Sequence, residues 1–285
     1  MTASGRQMIV GLIGAGIQAS RTPAMHEVEG RAHGLDYRYR LFDLEVLGVG
    51  DEALPELISQ AERDGFTGLN ITHPCKQAVI EYLTDLSDHA RAIGAVNTIL
   101  LRDGRRTGHN TDWSAFAESF RRGLPDAPVQ NVVQLGAGGA GAATAYAALK
   151  LGVEQLFMFD IEYERAQQLA DRLNMRSEHK RIAAVSDLDS VMTSVEGLIH
   201  ATPTGMASHP GLPLPAQLLR SEMWVAEIVY FPLETELLGV AKAIGCRTLD
   251  GSAMAVCQAA EAFRWFTGIV PDAGRMRRCF EPDLE

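Results

Sequence analysis

The chain has 285 residues, 46% hydrophobic and 22% charged, which is the composition of a globular protein with one or two domains. No apolar run approaches the roughly 20 residues that a membrane-spanning helix requires, so we expect no membrane association. The formal net charge of -10 argues against a nucleic-acid partner, because binding to phosphates requires a basic surface.

The first part of the chain alternates strand-like runs with helix-like stretches. The strand-like runs are MIVGLIG, YRYRLFD, FTGLNIT and GAVNTILL. This alternation predicts βαβ units and an α/β domain with a mostly parallel sheet. A helix-like stretch, TDWSAFAESFRRGL, and a polar connector with two prolines, PDAPVQN, follow, and the connector is typical of a hinge or boundary.

The second part has the pattern of a Rossmann dinucleotide-binding domain. The run VVQLG predicts a strand, GGAGAATAYAALKLG a helix, QLFMFD a second strand and YERAQQLADRLN an amphipathic helix with Leu169 and Leu173 on one face. Further strands are predicted in GLIHATP and WVAEIVY, and a long final helix in GSAMAVCQAAEAFRWFTG. We therefore expect two α/β domains.

Two glycine turns compete for the role of the nucleotide loop. The early turn contains Gly14, Gly16 and Ala19, but Pro23 excludes a helix that begins directly at the glycines. Pro23 instead suits the first position of a helix capped by Thr22. The early turn should therefore lead into a loop that carries hydroxyl groups.

The later turn fits nucleotide binding better. Gly136, Gly138 and Gly141 follow a strand and open a helix, and Asp160 ends the next strand. A carboxylate in this position accepts hydrogen bonds from ribose hydroxyls and repels the 2′-phosphate of NADP. We expect NAD to be the preferred cofactor, with NADP possible, and Arg165 to lie on a solvated helix face.

Polar side chains follow several strands of the first domain, in SRT (20–22), NITHPCK (70–76), NTD (110–112) and at Asn97, which closes AIGAVNT. Ligands of such folds bind near the carboxyl ends of strands, which predicts a substrate site in a cleft between the domains. So many hydrogen-bonding side chains suit a polyhydroxylated substrate.

Lys76 follows Pro74 and should lie in the first turn of a helix, and Asp112 should begin the helix that follows GHNT. A desolvated lysine can take the proton of an alcohol as hydride leaves. The alternative is a surface lysine and a helix-capping aspartate.

Eight motifs together resemble the shikimate/quinate dehydrogenase family, in its order and over nearly the whole chain. They are GLIGAGIQASRTPAMH, GLNITHPCK, IGAVNTI, GHNTD, GAGGAG, HATPTGM, VYFPLETELL and GSAMAVCQAAEAF. The resemblance implies reversible oxidation of a ring hydroxyl of shikimate, quinate or both by a nicotinamide cofactor.

The resemblance also implies roles for individual residues. Lys76 and Asp112 are the implied catalytic pair, and Ser20 and Thr22 the implied contacts of the substrate carboxylate. The remaining implied substrate contacts are Asn70, Thr72, Asn97, Tyr230 and Gln258. The cofactor contacts that we expect are Gly136, Ala137, Gly138, Gly139, Ala140, Asp160, Thr202, Met206, Gly251 and Met254.

Two departures from the common biosynthetic enzymes point to the NAD-using quinate/shikimate branch. Those enzymes have two serines where this chain has Ser20 and Thr22, and an Asn-Arg-Ser/Thr clamp for the NADP phosphate where this chain has FDIEYER. An aminoshikimate-type dehydrogenase and a non-catalytic, NAD-sensing regulatory paralogue are alternatives. A folate dehydrogenase has the same two-domain layout, but the hydroxyl-rich loop fits a polyol better.

The remaining expectations concern domain bounds, location and assembly. We expect a substrate domain at 1–112, completed by C-terminal helices at 252–285, and a Rossmann domain at 113–251. The N-terminal sequence lacks the features of a signal peptide, which predicts a cytoplasmic protein. Four cysteines without a CxxC motif predict reduced thiols, and eight histidines without metal-ligand spacing predict no metal. A monomer or homodimer is expected.

Overall fold

The computed structural model describes residues 7–175 and 180–280. The chain divides into two compact units, one containing the residues up to Thr111 and those from Val256 onward, the other containing Asp112–Ala255. The last five residues of the predicted C-terminal segment lie outside the described part. Within the described ranges no helix has the length and apolar character needed to cross a membrane.

The first unit contains a six-stranded sheet. Its strands are β1 (Gln7–Gly14), β2 (Asp36–Asp43), β3 (Gly68–Ile71), β4 (Asp85–Leu86), β5 (Thr98–Arg102) and β6 (Arg105–His109). Their order across the sheet is β2-β1-β3-β5-β6-β4. β1 pairs in parallel with β2 and β3, whereas β5 is antiparallel to both β3 and β6.

The antiparallel hairpin corrects one expectation about Asn97. We expected Asn97 to close a strand, but it precedes β5, which begins at Thr98. Because β5 runs against β3, with Asn70 opposite Thr98, the start of β5 lies at the same edge of the sheet as the carboxyl end of β3. Asn97 therefore lies at the expected edge of the sheet, but before the start of an antiparallel strand and not at the end of a parallel one.

Helices of the first unit cover the sheet. They are α1 (Thr22–Ala32), α2 (Leu44–Leu47), α3 (Leu54–Arg63) and α4 (Asp88–Ile93), and a 3₁₀ helix spans Ala78–Tyr82. Leu54 and Ile58 of α3 pack against Ile13, Leu69 and Ile99 of the sheet in a fully buried core. This packing fixes the strands, and hence the polar residues at their ends.

A second core of this unit is aromatic and contains a buried histidine. His26 has no solvent exposure, and its Nδ1 is 2.9 Å from the hydroxyl of Tyr37. The ring also contacts Tyr39, Phe263 and Phe266. Burial lowers the pKa of His26 from 6.5 to about 3, because the charged imidazolium is poorly solvated there.

This buried histidine predicts that the protein loses stability in mild acid. Below pH 6.5 the unfolded chain binds a proton at His26 and the folded chain does not, so the stabilisation present at neutral pH is lost as the pH falls. The expected loss from this residue is about 2 kcal/mol between pH 7.5 and 5. Denaturant unfolding at both pH values measures it.

The matched variants are His26→Gln and the exposed His89→Gln. The first should reduce the difference in unfolding free energy between the two pH values by about 2 kcal/mol, and the second should leave it as in the wild type. An unchanged difference in the His26 variant would mean that this ring takes up its proton in the folded protein.

The second unit contains a fully parallel six-stranded sheet. Its strands are β7 (Asn131–Leu135), β8 (Gln155–Phe159), β9 (Ile182–Ala184), β10 (Gly197–His200), β11 (Trp224–Glu227) and β12 (Arg247–Leu249), in the order β12-β11-β10-β7-β8-β9. Every pairing is parallel. The order reverses direction between β7 and β10, which is the topological switch point of a Rossmann fold.

Helices complete the second unit. They are α5 (Asp112–Gly123), α6 (Gly139–Leu151), α7 (Tyr163–Asn174), α8 (Asp189–Met192) and α9 (Glu236–Ile244). Leu169 and Leu173 of α7 are buried, as their spacing predicted. Trp113 of α5 packs edge-on against Tyr146 of α6, so the connector that follows α5 lies inside this unit.

The last two helices are α10 (Ser252–Thr267) and α11 (Ala273–Phe280). α10 begins in the second unit and continues in the first. α11 is joined to α1 through the buried carboxylate of Glu29, which accepts hydrogen bonds from Arg275 Nη1 at 2.7 Å and from the backbone N–H of Asp272 at 2.8 Å. The two-domain α/β architecture that the sequence indicated is confirmed.

Candidate active site

The polar residues of the first unit meet at one edge of its sheet. Thr72 follows β3, Asn97 precedes β5, and Asn110 and Thr111 follow β6. The side-chain amide of Asn97 donates to Thr111 Oγ1 at 2.9 Å, and the backbone N–H of Thr111 donates to Asn97 Oδ1 at 2.8 Å. This reciprocal pair fixes the point at which the chain leaves β6.

Gln258 joins the same network through its backbone. The hydroxyl of Thr111 donates to the carbonyl oxygen of Gln258 at 3.3 Å, which ties α10 to the end of β6. Gln258 is half-buried in this position. The structure thus brings together Asn97, Thr111 and Gln258 from three distant parts of the sequence.

Asn70 is held by hydrogen bonds from several directions. Its Oδ1 accepts from the hydroxyl of Tyr39 at 2.9 Å, and its Nδ2 donates to Asn97 O at 3.3 Å and Thr98 Oγ1 at 3.2 Å. The side chain is almost wholly buried. With both amide hydrogens already donated, Asn70 retains only acceptor capacity toward a ligand.

The early glycine turn lies directly against the segment after β3. The N–H of Ala15 donates to His73 O, and the N–H of Thr72 donates to Ile13 O, both at 2.9 Å. A Cβ on Gly14 would stand 2.3 Å from a side-chain carbon of Thr72. Only glycine permits this close approach, which places the early turn beside Thr72.

Asp43, at the end of β2, occupies the amides of the early turn. Its carboxylate accepts from the backbone N–H groups of Gly16 and Ile17, each at 3.0 Å, and from Gln18 Nε2 at 2.9 Å. Burial alone would raise the pKa of Asp43, but these hydrogen bonds outweigh it and the pKa is lowered. The amides that would approach a pyrophosphate are already bound to a carboxylate of the chain itself.

The loop that follows this turn carries the predicted hydroxyl groups. Ser20 Oγ accepts from the backbone N–H of Thr22 at 3.3 Å, so the two residues are held together. The expectation that Thr22 caps α1 is wrong: Thr22 is the first helical residue and Arg21 occupies the cap position without a side-chain bond. Pro23 still lies in the first turn of the helix.

Lys76 is half-buried in a turn between β3 and the 3₁₀ helix. The expectation of a helix beginning near Pro74 is wrong. The carbonyl oxygen of Lys76 accepts from the backbone N–H of Val96 at 2.8 Å, and this long-range bond takes the acceptor that a helix would use. The same bond ties Lys76 to the residue before Asn97.

Asp112 begins α5 of the second unit, as expected, and is buried. In the chain it directly follows Thr111, which the bonds to Asn97 fix in place. Tyr230, in the same unit as Asp112, keeps two fifths of its surface exposed. Burial of its hydroxyl and, to a lesser extent, the negative charge of Asp112 raise the pKa of Tyr230.

The later glycine turn is built around a buried glutamine. Gln134 of β7 donates through Nε2 to the carbonyl oxygens of Gly136 at 2.9 Å and Gly141 at 2.8 Å, which joins both ends of the turn. Gly136 has a φ of +99°, and a Cβ on Gly141 would stand 2.2 Å from Gly136 O. These two glycines are required by the backbone itself.

The start of α6 suits an anionic group. Gly138 is the cap residue, and no side chain within the described ranges caps this helix end. A Cβ on Gly138 would find open space, so a ligand can approach the backbone of Gly138, Gly139 and Ala140. Uncapped amides at a helix N-terminus bind phosphate groups, so the turn fits a dinucleotide.

Asp160 lies beside this turn, after β8. Its Oδ2 accepts from the N–H of Ala137 at 2.8 Å and its Oδ1 accepts from the N–H of Glu162 at 3.0 Å. Each carboxylate oxygen therefore retains a lone pair for a further donor. Arg165 is exposed and forms an ion pair with Glu162 at 2.9 Å, in agreement with a solvated helix face.

The other expected cofactor residues are distributed over the second unit. Thr202 is half-buried two residues after β10, and Met206 is exposed in the following turn. Gly251 and Met254 are buried around the start of α10. A Cβ on Gly251 would stand 2.6 Å from the carbonyl oxygen of Ile228, so this position also requires glycine.

The sequence interpretation missed residues that hold these loops. Asp43 ends a strand after a glycine turn, as Asp160 does, and the same reasoning applied to the first half would have found it. Gln134 was visible as a polar residue inside the apolar run VVQLG. Nothing in the pattern indicated the buried pair of His200 and Glu227.

This chain is similar to known proteins over nearly its whole length. A family profile described as the shikimate dehydrogenase substrate binding domain matches residues 12–99, and one described as the shikimate 5'-dehydrogenase C-terminal domain matches residues 251–278. A shikimate dehydrogenase (NADP(+)) of Streptomyces avermitilis is 57% identical over 270 residues, covering 94% of this chain and 93% of the relative. The chain belongs to the shikimate/quinate dehydrogenase family.

Two further relatives carry a different cofactor in their names. A quinate/shikimate dehydrogenase (NAD(+)) of Corynebacterium efficiens is 46% identical, covering 96% of this chain and 97% of the relative. The structure of a quinate dehydrogenase from Corynebacterium glutamicum in complex with NAD matches with a TM-score of 0.89 and 44% identity, over 98% of this chain and all of that one. The relatives of this family member therefore include both NADP-named and NAD-named enzymes.

Proposed function

We propose that this protein catalyses the reversible oxidation of a ring hydroxyl of shikimate, quinate or both, with NAD as the preferred hydride acceptor. The observation that carries the proposal is the hydrogen-bonded polar edge of the first unit, where Asn97 and Thr111 pair at 2.8 and 2.9 Å. Such an edge suits a small polyhydroxylated acid. Membership of the dehydrogenase family and the uncapped glycine turn of the second unit support the same reaction.

Lys76 and Asp112 are the proposed proton-transfer pair. The amine of Lys76 takes the hydroxyl proton as hydride leaves the ring carbon, and in the reverse direction its ammonium returns the proton to the carbonyl oxygen. The carboxylate of Asp112 orients the amine. A bound nicotinamide dinucleotide supplies the hydride acceptor. The half-buried position of Lys76 and the burial of Asp112 at the start of α5 support these roles.

The remaining substrate residues bind and orient the ring acid. Ser20 and Thr22 are proposed to bind the carboxylate, because the hydrogen bond from the backbone N–H of Thr22 to Ser20 Oγ holds the two residues together where the early turn leads into α1. The ring hydroxyls are assigned to Asn70, Thr72, Asn97, Tyr230 and Gln258. Asn70 would act as an acceptor, since its amide hydrogens are already donated.

The proposed preference for NAD rests on Asp160. Its free lone pairs, one on each oxygen, would accept the ribose hydroxyls of the adenosine half, while its charge would repel a 2′-phosphate. Gly136, Ala137, Gly138, Gly139 and Ala140 would cradle the pyrophosphate. Because relatives carry both cofactor names, we treat NADP as a second, weaker cofactor.

A matrix of two acids against two cofactors tests the proposal. With purified protein, the initial rates for shikimate and quinate with NAD and with NADP should show turnover, and kcat/KM should be at least about tenfold higher with NAD. Turnover with neither acid would contradict the proposed function. Equal or better use of NADP would contradict the proposed role of Asp160 alone.

Two alternatives are measured by the same assay. An aminoshikimate-type dehydrogenase would prefer an amino-substituted ring acid, which is added as a third substrate. A regulatory paralogue would bind NAD without turning over any acid. The comparisons favour neither alternative.

A further inference from the structure

A buried chain of three side chains lies at the carboxyl ends of β10 and β11. His200 ends β10 and Glu227 ends β11, and both are almost completely buried. His200 Nδ1 is 2.8 Å from Glu227 Oε2, and His200 Nε2 is 2.5 Å from Thr202 Oγ1. Thr202 is one of the expected cofactor contacts, but the proposed function gives no role to the two buried residues behind it.

The partners of Glu227 decide which ring nitrogen of His200 carries the proton. Besides His200, the carboxylate accepts from the backbone N–H of Val229 at 2.9 Å and from the hydroxyl of Thr235 at 3.2 Å. Thr235 Oγ1 itself accepts from the N–H of Leu238, so its hydrogen points to Glu227. With Glu227 ionised and His200 neutral, Glu227 is an acceptor throughout and His200 donates to it from Nδ1–H, which leaves Nε2 as an acceptor.

The orientation of the Thr202 hydroxyl follows from this tautomer. With the proton on Nδ1, Nε2 of His200 is an acceptor, and the Thr202 hydroxyl donates to it. Thr202 Oγ1 also accepts from the backbone N–H of Thr204 at 3.2 Å. Its only hydrogen is therefore committed, and one lone pair is left for a ligand. Thr202 acts toward a ligand as an acceptor.

The position of Thr202 in the sheet indicates which half of the cofactor it would contact. In the sheet, β10 lies beside β7 on the side opposite β8, which carries Asp160. A dinucleotide bound across the switch point with its adenosine at Asp160 directs its nicotinamide half toward β10. In that half the carboxamide NH₂ is a pure donor, whereas the ribose hydroxyls both donate and accept. A ribose hydroxyl could pair with Thr202 in either state, whereas the carboxamide NH₂ requires Thr202 to be an acceptor, so the carboxamide is the group that depends on this orientation.

We propose that Glu227 and His200 are positioning residues that hold the Thr202 hydroxyl as a hydrogen-bond acceptor for the carboxamide NH₂ of the nicotinamide ring. The inference rests on the proposed function only in assuming that the second unit binds a nicotinamide dinucleotide. The proposal gives the buried pair a chemical role, because the acceptor state of the Thr202 hydroxyl depends on which nitrogen of His200 carries the proton.

Calorimetric titration of the full-length protein with two dinucleotides tests this assignment. The probes are NAD and its 3-acetylpyridine analogue, in which a methyl group replaces the carboxamide NH₂. Thr202→Val keeps the shape but removes the acceptor, and should raise the Kd of NAD about three- to tenfold while leaving the Kd of the analogue within twofold. Thr202→Ser should restore the wild-type Kd of NAD. An equal rise for both dinucleotides, or none for NAD, would overturn the proposal.

Glu227→Gln tests the buried part of the chain. The glutamine amide can donate to Nδ1, which moves the ring proton to Nε2 and turns the Thr202 hydroxyl into a donor facing the carboxamide NH₂. The Kd of NAD should rise at least as much as in Thr202→Val, again with a smaller change for the analogue. An equal loss of affinity for NAD and for the analogue would mean that Glu227 acts on the fold alone. The unfolding midpoint of the variant is therefore measured alongside.

These titrations do not depend on turnover. If Thr202→Val weakens the binding of NAD but not of the analogue, while the wild-type protein oxidises neither shikimate nor quinate, the proposed function fails and the assignment of Thr202 stands. If it oxidises either acid but the Thr202 variants do not distinguish the two dinucleotides, the assignment fails and the proposed function stands.

Discussion

Replacing Lys76 by alanine should lower kcat for ring oxidation by a factor of about 100 to 10,000, because the reaction would lose its general base. The loss should appear with both shikimate and quinate. The Kd of NAD, measured by calorimetry, should stay within twofold of the wild-type value, since Lys76 belongs to the first unit and the glycine turn that suits a dinucleotide to the second. Steady-state kinetics at saturating NAD give the comparison.

We expect the fold to tolerate this substitution. Lys76 is half-buried in a turn, and the long-range hydrogen bond to Val96 comes from its backbone carbonyl, which alanine retains. Lys242→Ala is the matched control, because Lys242 is an exposed lysine on α9 that pairs with Glu234. It should leave kcat unchanged. A Lys76 variant with wild-type kcat would remove this residue from the mechanism.

A double variant examines whether Lys76 and Asp112 act as one unit. Asp112→Asn should also lower kcat, because an amide orients the amine less well than a carboxylate does. If the two groups share one proton-transfer step, the double variant should be little slower than Lys76→Ala alone. Multiplicative losses would show that the two residues contribute independently.

Asp160→Asn should reverse or abolish the preference for NAD. The amide keeps the shape of the side chain but removes the charge that repels a 2′-phosphate, and it weakens the charge-assisted hydrogen bonds to the ribose hydroxyls. We expect the ratio of kcat/KM for NAD to that for NADP to fall by about 10- to 100-fold. The measurement is the same rate assay with both cofactors.

The control for Asp160 is another carboxylate on the same unit. Asp171→Asn removes an exposed negative charge from α7, where Asp171 accepts a hydrogen bond from Gln167. It should leave the cofactor ratio unchanged, which separates a local effect from a change in net charge. A constant ratio in the Asp160 variant would show that the preference is set elsewhere in the chain.

Local features of the fold were well predicted from the sequence. The amphipathic spacing of Leu169 and Leu173, the alternating strands and helices, and the glycine-rich start of α6 all involve residues close together in the chain. Those features depend on backbone geometry and side-chain periodicity, which a short segment specifies by itself.

Two of the three errors at the candidate site share one cause. Asn97 lies at the start of a strand and not at an end, because the direction of β5 is decided by its pairing with β3. Lys76 lies in a turn and not in a helix, because its carbonyl is bound to Val96, 20 positions away (96 − 76). Thr22 does not cap α1. The first two outcomes depend on hydrogen bonds between distant segments.

The sequence by itself determined the two α/β units, the two glycine turns and the set of polar residues from which a site is proposed. Only the tertiary structure decided how those residues are held: Asp43 fills the early turn, Gln134 closes the later one, and Glu227 pairs with His200 behind Thr202. The physical reason is that a hydrogen bond is satisfied by whichever partner the fold brings within about 3 Å, and separation along the chain does not reveal that partner.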